Sequence, residues 1–118
     1  MLLAVGGHML DDLKPQCMQM ATGLAGGLGN TRQEVCGALS GGVLVIGALF
    51  GRASPAEDDQ LAIDLAAGYR NRFLEELGYT QCAELRAKVV DPPGGLGSCG
   101  ALVERAANIL LDLLARAG

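Results

Sequence analysis

The chain has 118 residues, half of them hydrophobic but only four aromatic, and 13 acidic against 9 basic side chains leave a net charge of -4. This length fits one domain whose core can form without metal or disulfides. The apolar content excludes disorder, and the lack of a basic stripe argues against a nucleic-acid partner. Glycine is the outlier at 18 residues, about twice the usual share. Such a core must be built from Ala, Leu, Val and Ile, with closely approaching backbones.

In chain order, Leu2 to Leu13 reads as a weak helix diluted by Gly6 and Gly7. It lacks a basic n-region and a small-residue cleavage site, so it does not read as a signal peptide. Pro15 marks a break after Lys14, and Cys17 to Ala25 predicts another short helix. The run Gly23 to Gly29 cannot stay regular, because glycine is costly inside a helix. It could cradle an anion at a following helix start, but it lacks the Walker lysine and the preceding strand of a nucleotide site.

Thr31-Arg32-Gln33-Glu34 fits a capping box and predicts a helix to about Gly51, with Cys36 in its second turn. This central helix carries Gly37, Gly41, Gly42 and Gly47. Gly37 and Gly41 share a face, so a neighbouring helix or a bound cofactor can approach the backbone there. The apolar run Gly37 to Phe50 is about 14 residues, too short for the roughly 20 that span a membrane, and reads as a buried core helix. A second box, Ser54-Pro55-Ala56-Glu57, predicts a helix with Leu61, Leu65, Tyr69, Phe73 and Leu77 as its apolar ridge, closed by Gly78. Thr80 is the expected cap of a short helix from Gln81 to about Lys88. Val89 to Gly97 reads as a loop, and Ser98 caps a last helix from Cys99 to about Ala117. The fold class is all-α: a single-domain bundle of about five helices with a glycine-rich central helix.

The four cysteines, Cys17, Cys36, Cys82 and Cys99, are separated by 19, 46 and 17 residues. No CxxC occurs, which excludes thioredoxin-like dithiols and ordinary zinc ribbons. Without an export signal, reduced thiols are the default. Cys36, Cys82 and Cys99 each lie at a predicted helix start, where free amides and the helix dipole favour thiolate over thiol. Thiolates attack disulfides and bind soft metals. The bland alternative is that each is a small buried hydrophobe. His8, the lone histidine, is a weak ligand candidate. Glu57, Asp58 and Asp59 read as dipole partners, Arg70 and Arg72 as a solvated face, and the four methionines as core filling.

The segment Ala21 to Arg52, with Cys36-Gly37-Ala38-Leu39-Ser40-Gly41 inside it, resembles the glycine-rich stretch and CGAxxG motif of the C_GCAxxG_C_C family. Cys82-Ala83-Glu84-Leu85 is similar to that family's third cysteine and following leucine. Cys99 with Leu102-Val103 and Ala106-Ala107 is similar to its fourth cysteine and final helix. The resemblance spans most of residues 1–118. It implies a small redox-active protein, with a domain also similar to part of split-Soret cytochromes. The family's first cysteine lies just upstream of a segment like Leu2-Leu3-Ala4-Val5, a place that falls before Met1. Cys17 is not at that position and takes no family role. The expectation is a single domain lacking the start of its first helix.

The leading reading is a small helical thiol protein in which Cys36, Cys82 and Cys99 converge. They would serve thiol/disulfide electron exchange, or bind a metal or iron–sulfur cluster, with Gly37 and Gly41 making room for a cofactor. Any enzymatic activity would be that of a small oxidoreductase or electron-transfer protein with an unidentified redox partner. The reading expects a cytoplasmic protein without membrane insertion, and allows a homodimer. The alternative is a non-catalytic helical interaction module, dimerising through the glycine-faced helix, with inert buried cysteines. A hydrolase or transferase has little support, since one histidine cannot complete a nucleophile–His–acid set.

Overall fold

The computed structural model describes residues 1–10 and 13–117. A π-helical turn, Leu2–Gly6, runs into the short α1 (Gly7–Met9), and α2 (Pro15–Ala21) continues as a tight turn over Thr22–Leu24. Then follow α3 (Gly37–Phe50), α4 (Gln60–Leu77), α5 (Cys82–Leu85) with a π-helical extension over Arg86–Val90, and α6 (Cys99–Ala117). The chain is an all-α single domain. Among the described residues the one extended pairing is an isolated antiparallel bridge between Val35 and Gln81. No described helix is long and apolar enough to cross a membrane. Asp11 and Asp12, within the expected first helix, lie outside the described residues.

The core forms where α3, α4 and α6 meet. Leu65, Tyr69, Phe73 and Leu77 recur every fourth residue along α4, so they share one face, and all four are buried. Leu61 leaves this ridge: it sits in the first turn of α4 and is 51% exposed. Tyr69 and Phe73 are fully buried and meet edge to face, with ring centroids 6.1 Å apart. Each such ring contributes about 1.5–3 kcal/mol through burial. The Tyr69 hydroxyl donates to the Ala38 carbonyl at 2.9 Å, which satisfies its polar tip. A Cβ on Gly42 would overlap the Tyr69 ring, so this glycine is what lets α4 approach α3. Leu102, Ala106, Ile109, Leu110 and Leu114 close the core from α6.

α3 ends, and α6 begins and ends, close to the sequence expectation, and Gly78 closes α4 at φ +84° in the left-handed region. The helix starts differ. Thr31 does not open α3: its hydroxyl donates to the Gly27 carbonyl at 2.9 Å, within a loop. Cys36 is the N-cap of α3, one position before the helix rather than in its second turn. Ser54 does not open α4 either. Residues 54–59 form a turn in which Glu57 Oε2 accepts from the Ala53 amide at 3.3 Å, and Asp59 takes the N-cap position. Arg52 pairs with Asp59 at 3.4 Å, which ties the two ends of that turn together. Gln81, not Thr80, precedes α5, and helix continues to Val90 where a loop was expected from Val89. Both failed boxes have the right residue types. Their side chains are taken by loop partners that the local pattern does not contain.

Candidate functional site around three cysteines

The loop between α2 and α3 sets the site. Gly26, Gly27, Leu28, Gly29 and Asn30 all have φ between +58° and +71°, and Arg32 has φ +63°. Consecutive left-handed residues are rare because Cβ collides with the following carbonyl, at about 1–2 kcal/mol per non-glycine residue. Glycine at three of these six positions removes about half of that cost, and backbone bonds hold the rest. The amides of Asn30, Arg32 and Glu34 donate to the carbonyls of Ala25, Gly26 and Gly27 at 3.0, 2.8 and 3.2 Å. Gly27 is buried, and a Cβ there would lie 2.7 Å from Cys82 Cβ. The glycine loop is thus pressed against a cysteine 55 residues away in the chain.

The bridge aligns the same two segments. The Cys36 amide donates to Thr80 at 2.8 Å, the Cys82 amide to Glu34 at 2.9 Å, and the Ala83 amide to Arg32 at 3.0 Å. In this antiparallel register Cys36 and Cys82 fall on one face as diagonal neighbours. Both line a cavity of about 500 Å³, and Cys99, the first residue of α6, lines it too. Ser98 caps α6 by accepting from the Ala101 amide at 3.1 Å, as expected. Met1, Met18, Leu24 and Leu102 supply apolar walls, while Gly37 and Gly41 open a side-chain-free strip of α3 onto the same space. The three cysteines grade in exposure: Cys82 is buried, Cys36 half-buried and Cys99 exposed. All are free thiols.

The electrostatics differ from the sequence expectation at Cys36. Burial pushes its thiol up, and charge on Cys82 or Cys99 would push it further. The amides of Ala38 and Leu39 act in the opposite sense, favouring the thiolate, but fall short of full capping hydrogen bonds. Desolvation therefore outweighs the helix start and favours the thiol over the thiolate at Cys36.

Sequence reasoning missed Arg86. One helical turn after Cys82, it lines the cavity. Its guanidinium is held above its usual range first by a hydrogen-bonding contact with Cys82, then by the charge of Cys99. Its Nε is buried without a partner. The Cys82–x–x–x–Arg86 spacing puts both side chains on one helix face, and that signal was present in the sequence.

Other candidates lie apart. Cys17 is exposed on α2 and His8 exposed on α1. Met20 is 78% and Met9 37% exposed, so these two do not fill the core as expected. Arg72, expected on a solvated face, bridges α4 to α6 through Asp112 at 2.8 Å. Among the described residues, no three His, Cys, Asp or Glu side chains are grouped to hold a metal ion. The cysteines share a cavity without forming a ligand set.

No curated protein and no solved structure gives a significant match. A family model described as "Putative redox-active protein (C_GCAxxG_C_C)" matches residues 1–113. With nearly its whole length matched, the chain belongs to the C_GCAxxG_C_C family.

Proposed function

We propose that the protein is a thiol/disulfide electron carrier whose working groups are Cys36, Cys82 and Cys99. The observation that carries this reading is the convergence of three free thiols, graded in exposure, on one cavity beside a guanidinium. Attack on a disulfide needs a thiolate with access to it. Cys99 has the access, so it attacks one sulfur of an incoming disulfide and releases the other as a thiolate. The mixed disulfide on Cys99 is then attacked by the Cys82 thiolate, which forms a Cys82–Cys99 disulfide and expels the second substrate thiolate. Two electrons pass from the protein to the substrate, and the two cysteine protons end on the released thiols. Cys36 must lose its proton before it can exchange with Cys82, which makes it the slow member. Among the described residues the three thiols are not grouped as a metal-ligand set.

The test is oxidation of the reduced protein by a neutral small disulfide, in a Cys17→Ser background, followed by peptide mass spectrometry. The expected product is an intramolecular disulfide containing Cys82, formed with release of two thiols per chain. Cys99→Ser should abolish rapid thiol release, and Cys82→Ser should stop the reaction at the mixed disulfide. Unreactive thiols in the folded protein, with only small stability losses in the serine series, would favour the interaction module. Tight stoichiometric iron or zinc after anaerobic purification would favour the metal reading.

A further inference from the structure

Arg86 is the one charged side chain among the described residues that line the thiol cavity. No described carboxylate stands within ion-pair distance of it; Asp91 adds its charge from further off. The Arg86 Nε is buried without a hydrogen-bond partner, a desolvation cost that a bound acceptor would remove while the guanidinium keeps its contact with Cys82. The α3 amino-terminus opens on the same cavity at Cys36 and Gly37, and that of α6 at Cys99. Both present positive partial charge. The remaining walls are mainly apolar side chains, and a volume of about 500 Å³ is that of a small-molecule site.

We propose that this cavity selects low-molecular-weight disulfides of acidic thiols, seating their carboxylate on Arg86 while their sulfur meets Cys99 and Cys82. The inference rests on the thiol/disulfide reading and names its substrate class. The planar guanidinium matches the two oxygens of a carboxylate. Cys82 is buried, so a disulfide carried on a folded protein would reach only the exposed Cys99.

The experiment compares two disulfides on the reduced Cys17→Ser protein: dithiobis(nitrobenzoate), which carries a carboxylate on each half, and dithiodipyridine, neutral at the assay pH. The readout is the ratio of their thiol-release rates, which cancels any general change in thiol reactivity. In Arg86→Gln this ratio should fall about tenfold, the size of one charge-assisted hydrogen bond, and Arg86→Lys should recover part of it. An unchanged ratio in folded Arg86→Gln overturns the proposal. A second measurement needs no variant at Arg86. Benzoate, but not benzamide, should slow alkylation of Cys82 and Cys99 by iodoacetamide, and equal effects of the two would also overturn it. Alkylation does not depend on disulfide exchange. Benzoate protection without any intramolecular disulfide would therefore sink the electron-carrier reading alone, while disulfide formation without charge selectivity would sink the substrate assignment alone.

Discussion

Gly27 and Gly29 show how one residue type serves two physical ends within three positions. Both have positive φ, but a Cβ on Gly27 meets Cys82, whereas nothing lies within 4 Å of Gly29. Gly29→Ala should therefore cost only the left-handed penalty, about 1–2 kcal/mol. Gly27→Ala adds overpacking against the Cys82 segment and should cost about 2–5 kcal/mol in all. Urea unfolding of the two variants checks the difference. Equal losses would mean that backbone conformation alone selects glycine here. At Cys36 the raised pKa gives a sign for pH dependence. The folded protein holds this proton more tightly than the unfolded chain, so the associated stability is present below the ordinary thiol range. It is lost as pH rises through that range and beyond. Tyr69, also held up chiefly by burial, extends the same trend to higher pH. Midpoints of urea unfolding should fall as the solution is made alkaline, with the decline starting later in Cys36→Ser.

Among the elements, α3 carries the sharpest contrast. Gly42 lies against the Tyr69 ring and Gly47 faces open space, although both are interior glycines of one helix. Gly42→Ala should force Tyr69 off Ala38 and destabilise by about 1–3 kcal/mol. Gly47→Ala should stabilise by about 0.5–1 kcal/mol, since alanine is the better helix former. Thermal melts would read both signs, and a loss at Gly47 would point to a partner covering that face. The extents of α3, α4 and α6 were largely legible because their apolar spacing and closing residues are local signals. The starts of α3 and α4 were misread for the same reason. Thr31 is engaged by Gly27 and Glu57 by Ala53, so residues of the right type for a capping box spend their hydrogen bonds in loops.

Across the whole molecule, the site joins three regions: the glycine loop, the α5 segment and the start of α6. If Cys82 and Cys99 close a disulfide, they tie a loop of 17 residues. Closing a loop of that size removes unfolded-state entropy equivalent to about 3 kcal/mol. The oxidised protein should therefore unfold at higher urea than the reduced one, and a lower midpoint would show that the fold must distort to bring the two sulfurs together.

The sequence alone determined the helical class, the position of the central glycine-rich helix and the three cysteines worth following, because periodicity, composition and residue type are carried within short windows. The tertiary structure decided how those cysteines meet. The Val35–Gln81 bridge puts Cys36 and Cys82 on one face, and Gly27 packs directly on Cys82. It also decided that burial, not the helix start, governs the Cys36 proton, and that Arg86 stands in the cavity with no carboxylate at ion-pair distance among the described residues. Register across 46 residues and the desolvation of a sulfur depend on what the rest of the chain packs against them, and no local pattern encodes that.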